Sequence, residues 1–126
     1  MSLAHTKAIT FVLTPDHKRA SAWYRDVLGL TYQGEDQFAA TFDLAGTRMR
    51  LTSVQGFTPG AHTVLGWAVP DIRAAIAALK AKGVEFLVYP GFGQDADGVW
   101  SAPDRDVKIC WFNDPDGNNL SLTEMN

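Results

Sequence analysis

One pattern occurs twice in this chain of 126 residues and constrains its folding more than any other feature. The apolar run Ile9–Thr14 (ITFVLT) ends at Pro15-Asp16 and leads into HKRASAWYRDVLGL. Downstream, Thr63–Val69 (TVLGWAV) ends at Pro70-Asp71 and leads into IRAAIAALKAKGV. Asp16 and Asp71 each suit a helix N-cap, where a carboxylate accepts from free amides of the first turn. Behind them Ala20, Trp23, Tyr24, Val27 and Leu28, and again Ile72, Ala75, Ile76 and Leu79, recur at the spacing of an apolar helix face. Gly29 and Gly83 stand where a left-handed residue ends a helix. The chain is therefore read as two copies of one supersecondary unit.

Each helical stretch is followed by β-forming sequence. In the first half this is LTYQ, then Phe38–Asp43, then TRMRLTSV after the turn Ala45-Gly46. In the second half it is VEFLVYP, then the segment Val107–Glu124. The predicted unit is βαβββ, with module 1 over about 6–54, a linker at 55–60 and module 2 over about 61–126. A ferredoxin-like α/β sandwich would lack the third strand of each module.

Val107–Glu124 (VKICWFNDPDGNNLSLTE) reads as a hairpin closed by Asp114-Pro115-Asp116-Gly117. Pro115 presets φ, and Gly117 takes the left-handed conformation that closes the loop. Pairing Asn113 with Asn118 sets Trp111 opposite Leu120 and Ile109 opposite Leu122. Cys110, Phe112, Asn119 and Ser121 then share the other face, a mixed surface suited to line a pocket.

The length is that of one domain, 1–126, able to bury a real core. A net charge of -3 without a Lys/Arg run argues against nucleic acid or anionic membrane as partner. No segment reaches the roughly 18 apolar residues of a membrane span. The first ten residues hold no signal-like apolar stretch. Cys110 is the single cysteine, so no intrachain disulfide forms, and the chain is expected to be cytoplasmic. There is no dinucleotide or P-loop fingerprint and no nucleophile elbow for Ser-His-Asp chemistry. Asp114 and Asp116 belong to the turn. Asp95-Ala96-Asp97-Gly98 lacks the further ligands of a Ca²⁺ loop.

Ser21–Tyr32 (SAWYRDVLGLTY) and the hairpin together resemble the vicinal-oxygen-chelate superfamily, which holds glyoxalase I, extradiol dioxygenases and bleomycin-resistance proteins. The resemblance covers nearly the whole chain. It implies an α+β fold in which two βαβββ modules form a curved, U-shaped mixed β-sheet around a cleft. It also implies a homodimer. In metal-dependent members the first and last strands of each module each supply one ligand, usually His or Glu. The matching positions here are Ile9, Arg50, Val64 and Ser121. Two are aliphatic, one is a permanent cation and one is a weak neutral donor, so no metal and no other cofactor is expected. A shifted site would have to use His5, His62 or Glu124 at the ends of the same strands.

On this reading the pocket residues are Arg50, Ser121, Ile9, Val64, Trp100, Phe112, Asn119 and Cys110. Arg50 offers a guanidinium fork for an anionic ligand, unless it is a surface residue paired with Asp43 or Glu35. Trp100, in the long loop Gly91–Asp106 with Asp95 and Asp97, would close over the cleft as a lid. Cys110 lacks a helix N-terminus or adjacent His to activate it as a nucleophile and reads as a small buried thiol. The expected function is binding of a small-molecule ligand without the usual metal centre. The alternatives are a metal-dependent lyase, isomerase or dioxygenase with non-standard ligands, and a structural dimerising domain.

Overall fold

Both predicted aspartates cap a helix. In the computed structural model, which describes residues 1–125, the Asp16 carboxylate accepts from the amides of Lys18 and Arg19 at the start of α1 (His17–Asp26). The Asp71 carboxylate accepts from Ala74 at the start of α2 (Ile72–Lys80). Gly29 and Gly83, with φ of 70° and 92°, follow the helix ends in the left-handed conformation. The chain divides into two units, Met1–Thr58 and Pro59 onward.

The first unit contains β1 (Ile9–Thr14), α1, β2 (Thr31–Glu35), β3 (Ala39–Leu44) and β4 (Thr47–Ser53). Its sheet runs in the order β1-β4-β3-β2, with β1 parallel to β4 and the other pairs antiparallel. The register places Val12, Ala40, Phe42, Met49 and Leu51 on one face, where α1 lies over β3 and β4. All five are buried, as are Ala20 and Tyr24 of the helix. Each large side chain buried this way contributes about 1.5–3 kcal/mol.

The second unit repeats the plan with β5 (Thr63–Ala68), α2, β6 (Trp100–Ser101), β7 (Val107–Asn113) and β8 (Asn119–Met125), in the order β5-β8-β7-β6. Ile72 and Ile76 of α2 join Cys110, Phe112, Leu120 and Leu122 in its core. Glu124 adds a second cap to α2, its Oε1 accepting from the Ile72 amide at 2.9 Å.

Two sequence expectations are corrected in this unit. The hairpin pairs Asn113 with Asn119, not Asn118. Asp114 joins the loop: its amide donates to the Asn118 carbonyl, and its Oδ1 accepts from the amides of Asp116 and Asn118. One residue of register exchanges the faces of one strand relative to the other. Trp111 therefore stands opposite Ser121, and Cys110 and Phe112 stand opposite Leu122 and Leu120.

The second correction concerns the edge strand. Val84–Pro90 forms no strand and makes one isolated bridge, Phe86 to Phe112. β6 lies instead inside the stretch read as a loop, pairing Trp100 with Ile109. The edge is split. Leu87 still donates to the Trp111 carbonyl, then the chain leaves the sheet and returns at Trp100. Gln94 spans the gap, its Nε2 donating to the carbonyls of Leu87 (2.9 Å) and Gly98 (2.7 Å). A side-chain amide thus replaces the ladder bonds that a continuous strand would make.

Candidate functional site

The face of the second sheet turned away from α2 carries the concentration of aromatic surface. Alternation along β7 puts Ile109 and Trp111 there, and pairing adds Trp100 from β6. The excursion through the split edge adds Tyr89 and Phe92, which remain 40% and 47% exposed. Phe92 is the hub, with ring centroids 5.6 Å from Trp111, 6.0 Å from Trp100 and 6.1 Å from Tyr89. Tyr89 also meets Trp111 edge-on at 6.0 Å. These are the offset and edge geometries that aromatic pairs prefer. They build a wall of four rings.

The excursion is tied down by charge as well as by Gln94. Arg73 of α2 donates to Asp95 at 2.7 Å and to Asp97 at 3.0 Å. Asp95 also accepts from the amides of Asp97 and Val99. The Arg73 hydrogen bond is the main cause that holds the Asp95 carboxyl below its ordinary value. The lid role expected of Asp95 and Asp97 is replaced by this anchoring to the helix. Trp100 is fixed in the sheet itself.

Beside the wall, polar groups converge on a recess of about 300 Å³ lined by Leu87, Tyr89, Asn113 and Asn119 with Gly60, Ala61 and Gly117. Thr63 Oγ1 lies 2.6 Å from Asn119 Oδ1, and Asn119 Nδ2 donates to the Tyr89 hydroxyl at 3.1 Å. Asn119 is 7% exposed. Ser121 is opposite Gly66 of β5, where any side chain would collide with the Ser121 hydroxyl. Glycine at position 66 therefore leaves room for Ser121 Oγ on this face.

The other expected pocket residues separate. Ser121, Asn119 and Trp100 share the aromatic face. Cys110 and Phe112 are fully buried on the helix face, a consequence of the shifted register. Burial pushes the Cys110 thiol up to about 11, which suits packing and not nucleophilic attack. Val64 falls in the irregularity between Thr63 and Leu65 and has no partner in the β5–β8 register.

Ile9 and Arg50 belong to the first unit, on the face turned away from α1. Ile9 is half exposed. Arg50 pairs neither with Asp43 nor with Glu35. Its guanidinium donates to Thr41 Oγ1 at 3.2 Å and to Asp36 Oδ2 at 3.1 Å. Asp36 is itself fixed. Amides of Phe38 and Ala39, in that order, and then Arg50 hold its carboxyl below the ordinary value. The Asp36 carbonyl lies 3.0 Å from Nε2 of buried His17, whose Nδ1 is 2.6 Å from Ser53 Oγ. A carbonyl can only accept, so Nε2 carries a proton, and Ser53 Oγ also accepts from the His17 amide at 2.8 Å.

The donor set does not fit the metal centre implied by the resemblance. Ile9 and Val64 have no donor atom, Arg50 is committed to Asp36 and Thr41, and Ser121 offers a neutral hydroxyl. Among the described residues no group of three or more His, Cys, Asp and Glu is placed to hold a metal ion. Glu124, named for a shifted site, is engaged by the α2 amide and lies 3.6 Å from Lys108.

Sequence reading missed Tyr89, Phe92, Thr63 and Asp36. Phe92 carried a signal, since an aromatic between Gly91 and Gly93 has little local reason to be there.

The chain belongs to the Glyoxalase/Bleomycin resistance protein/Dioxygenase superfamily, whose profile matches residues 2–122. Among solved structures it is similar to a glyoxalase family protein from Bacillus anthracis, with a TM-score of 0.76, 17% identity, and coverage of 100% of this chain and 99% of that one. A superfamily member from Sphaerobacter thermophilus gives 0.75 at 24% identity, covering 98% and 99%. Lactoylglutathione lyase from Agrobacterium tumefaciens gives 0.72 at 16% identity, covering 95% and 93%. At these identities the likeness is one of fold. Among curated proteins none matches. No helix among the described residues is long and apolar enough to cross a membrane.

Proposed function

We propose that this protein binds a small organic ligand with a flat apolar body, laid against the rings of Tyr89, Phe92, Trp100 and Trp111, and does so without the superfamily's usual metal centre. The observation that carries this reading is the exposed aromatic wall beside convergent polar groups, a combination typical of small-molecule sites. Ser121 and Asn119 give the site its polar side. The donor set at Ile9, Arg50, Val64 and Ser121 supports the metal-free part of the reading.

The test is a thermal-shift screen of planar aromatic compounds on the wild type and on Trp111→Ala. Hits are expected to stabilise the wild type and to lose at least tenfold in affinity on losing the ring, since base–aromatic stacking elsewhere is worth about 1–3 kcal/mol. Absence of any hit, or hits indifferent to Trp111, overturns the reading. Protein purified without chelator is expected to hold well under one transition-metal ion per chain, and EDTA to leave its melting temperature unchanged. One tightly bound ion per chain by elemental analysis would overturn the metal-free part.

We also propose a homodimer, supported by apolar residues left exposed on the first unit, Ile9, Phe11 and Phe38. Light scattering at micromolar concentration checks it, and a monomer mass rejects it.

A further inference from the structure

The hydrogen bonds behind Tyr89 have a direction, and that direction selects a ligand chemistry. The Thr63–Asn119 contact, at 2.6 Å, lies in the O–H···O range, whereas the Asn119–Tyr89 contact, at 3.1 Å, lies in the N–H···O range. Both lengths orient the Asn119 carboxamide the same way. Its oxygen accepts the Thr63 proton, and its NH₂ donates to the Tyr89 hydroxyl. The opposite orientation would require a short N–H···O bond and a long O–H···O bond. Asn119 is nearly buried and bonded at both ends, so turning it would reverse both bonds and leave each at an unfavourable length.

Tyr89 Oη therefore receives a proton donor from inside and keeps its own O–H to give. Among the described residues it donates to none. An amide NH₂ cannot accept it, and the hydroxyl stands at the recess shared with Asn113 and Asn119. Accepting one bond strengthens the next one donated, so the chain Thr63, Asn119, Tyr89 presents a polarised O–H at its outer end. The same tyrosine's ring belongs to the aromatic wall, meeting Trp111 and Phe92. We infer that Tyr89 is the specificity-determining donor of this site, and that it selects planar ligands bearing a carbonyl-type oxygen acceptor at the edge of the ring system. This inference rests on the aromatic-wall reading above. It adds which polar group that wall selects.

The experiment compares two probes of nearly the same shape, 1-acetonaphthone and 1-ethylnaphthalene, which differ in one carbonyl oxygen. Binding to the full chain is read by quenching of tryptophan fluorescence. The ketone is expected to bind about tenfold more tightly to the wild type, the worth of one well-placed hydrogen bond. Tyr89→Phe is expected to remove that preference, bringing the ratio of the two affinities to about one. Asn119→Asp replaces the inner donor with an acceptor, turns the Tyr89 proton inward and is also expected to erase the preference. If that variant does not fold, Thr63→Val, which frees the carboxamide to turn, is expected to reduce the preference. Equal binding of the two probes by the wild type, or a preference that survives Tyr89→Phe, overturns the inference and leaves the aromatic-wall reading standing. Binding of neither probe overturns both.

Discussion

The two units have the same strand order and the same capped helix, yet their helix-free faces differ. In the first unit the edge strand β2 is continuous apart from one irregularity near Gly34, and the face carries the ion pair Arg50–Asp36 beside the exposed aliphatic Ile9. In the second, the equivalent edge is split into a bridge at Phe86 and the short β6. The chain released between them supplies half of the aromatic wall. One plan, used twice, yields a face with an ion pair beside exposed Ile9 and Phe11 where the edge is kept, and a ring-lined face where it is interrupted. The interruption costs ladder hydrogen bonds, which Gln94 and the Arg73–Asp95–Asp97 cluster replace. In the second unit the edge strand is broken without disturbing the core.

The two faces of β7 are separable by substitution, because Phe112 and Trp111 are neighbours in sequence but point to opposite sides. Phe112→Ala empties a fully buried site and is expected to destabilise the protein by about 3–5 kcal/mol in urea unfolding. Trp111→Ala is expected to cost roughly 1 kcal/mol while removing aromatic-ligand binding. If Trp111→Ala is the more destabilising of the two, the assigned register is wrong. Cys110 reports on the same face. With its thiol pushed up to about 11 from an ordinary 9.0, its thiolate population is about 100-fold reduced, and disulfide-reagent labelling of native protein should slow at least that much. Full speed without denaturant would place Cys110 at the surface.

That register shows which parts of the molecule were legible in the sequence and which were not. The repeat, both aspartate caps, the glycine stops and the strands of the first unit were readable, because each depends on residues within a few positions of one another. The face assignment on β7 was not. It turns on whether Asp114 closes the loop or ends the strand, and side-chain bonds from Asp114 to Asp116 and Asn118 decide that. The split edge was hidden for a related reason. Val84–Tyr89 is rich in strand-forming residues, and Gln94, beyond it, takes the Leu87 carbonyl. Ser121 and Asn119 do share a face; Trp100, read as a lid, stands on that same face as part of β6, and Cys110 and Phe112 lie on the other.

A second test loosens the excursion. Arg73→Ala removes both charged contacts to Asp95 and Asp97. The groups are largely exposed, so about 1 kcal/mol or less of global stability is expected to be lost. The local effect is larger: amide protection across residues 88–99 should fall while the β7–β8 amides stay protected. Acid should reproduce this in the wild type. The Asp95 carboxyl is held below its ordinary value in the folded protein, so its stabilising contribution is complete above that ordinary value, about pH 4, and is lost as pH falls below it. Hydrogen exchange at pH 6 and pH 3 reads the difference, and in Asp95→Asn that pH-dependent loosening should be smaller. Equal protection of 88–99 in Arg73→Ala and wild type would show that Gln94 and the Lys80–Asp97 pair hold the excursion without Arg73.

The smallest effect is expected on the first unit, at Arg50. An arginine on an exposed sheet face invites assignment as the anchor for an anionic ligand. Its guanidinium, however, already donates to Asp36 and Thr41, and Asp36 is pinned by two backbone amides and stays in place. An incoming carboxylate would have to compete with a carboxylate already present at 3.1 Å. Two of the five guanidinium N–H donors are committed, and the Asp36 carboxylate already stands beside the positive charge. Arg50→Ala should therefore change the affinity of any aromatic acid found in the screen by less than about threefold, and the melting temperature by no more than about 2–3 °C. Arg50→Lys, which keeps the charge but loses the fork, should behave the same way. A tenfold loss in Arg50→Ala, partly restored by lysine, would show that the first unit's helix-free face takes part in recognition. The contrast between the two faces would then be one of division of labour, not of a used and an unused surface.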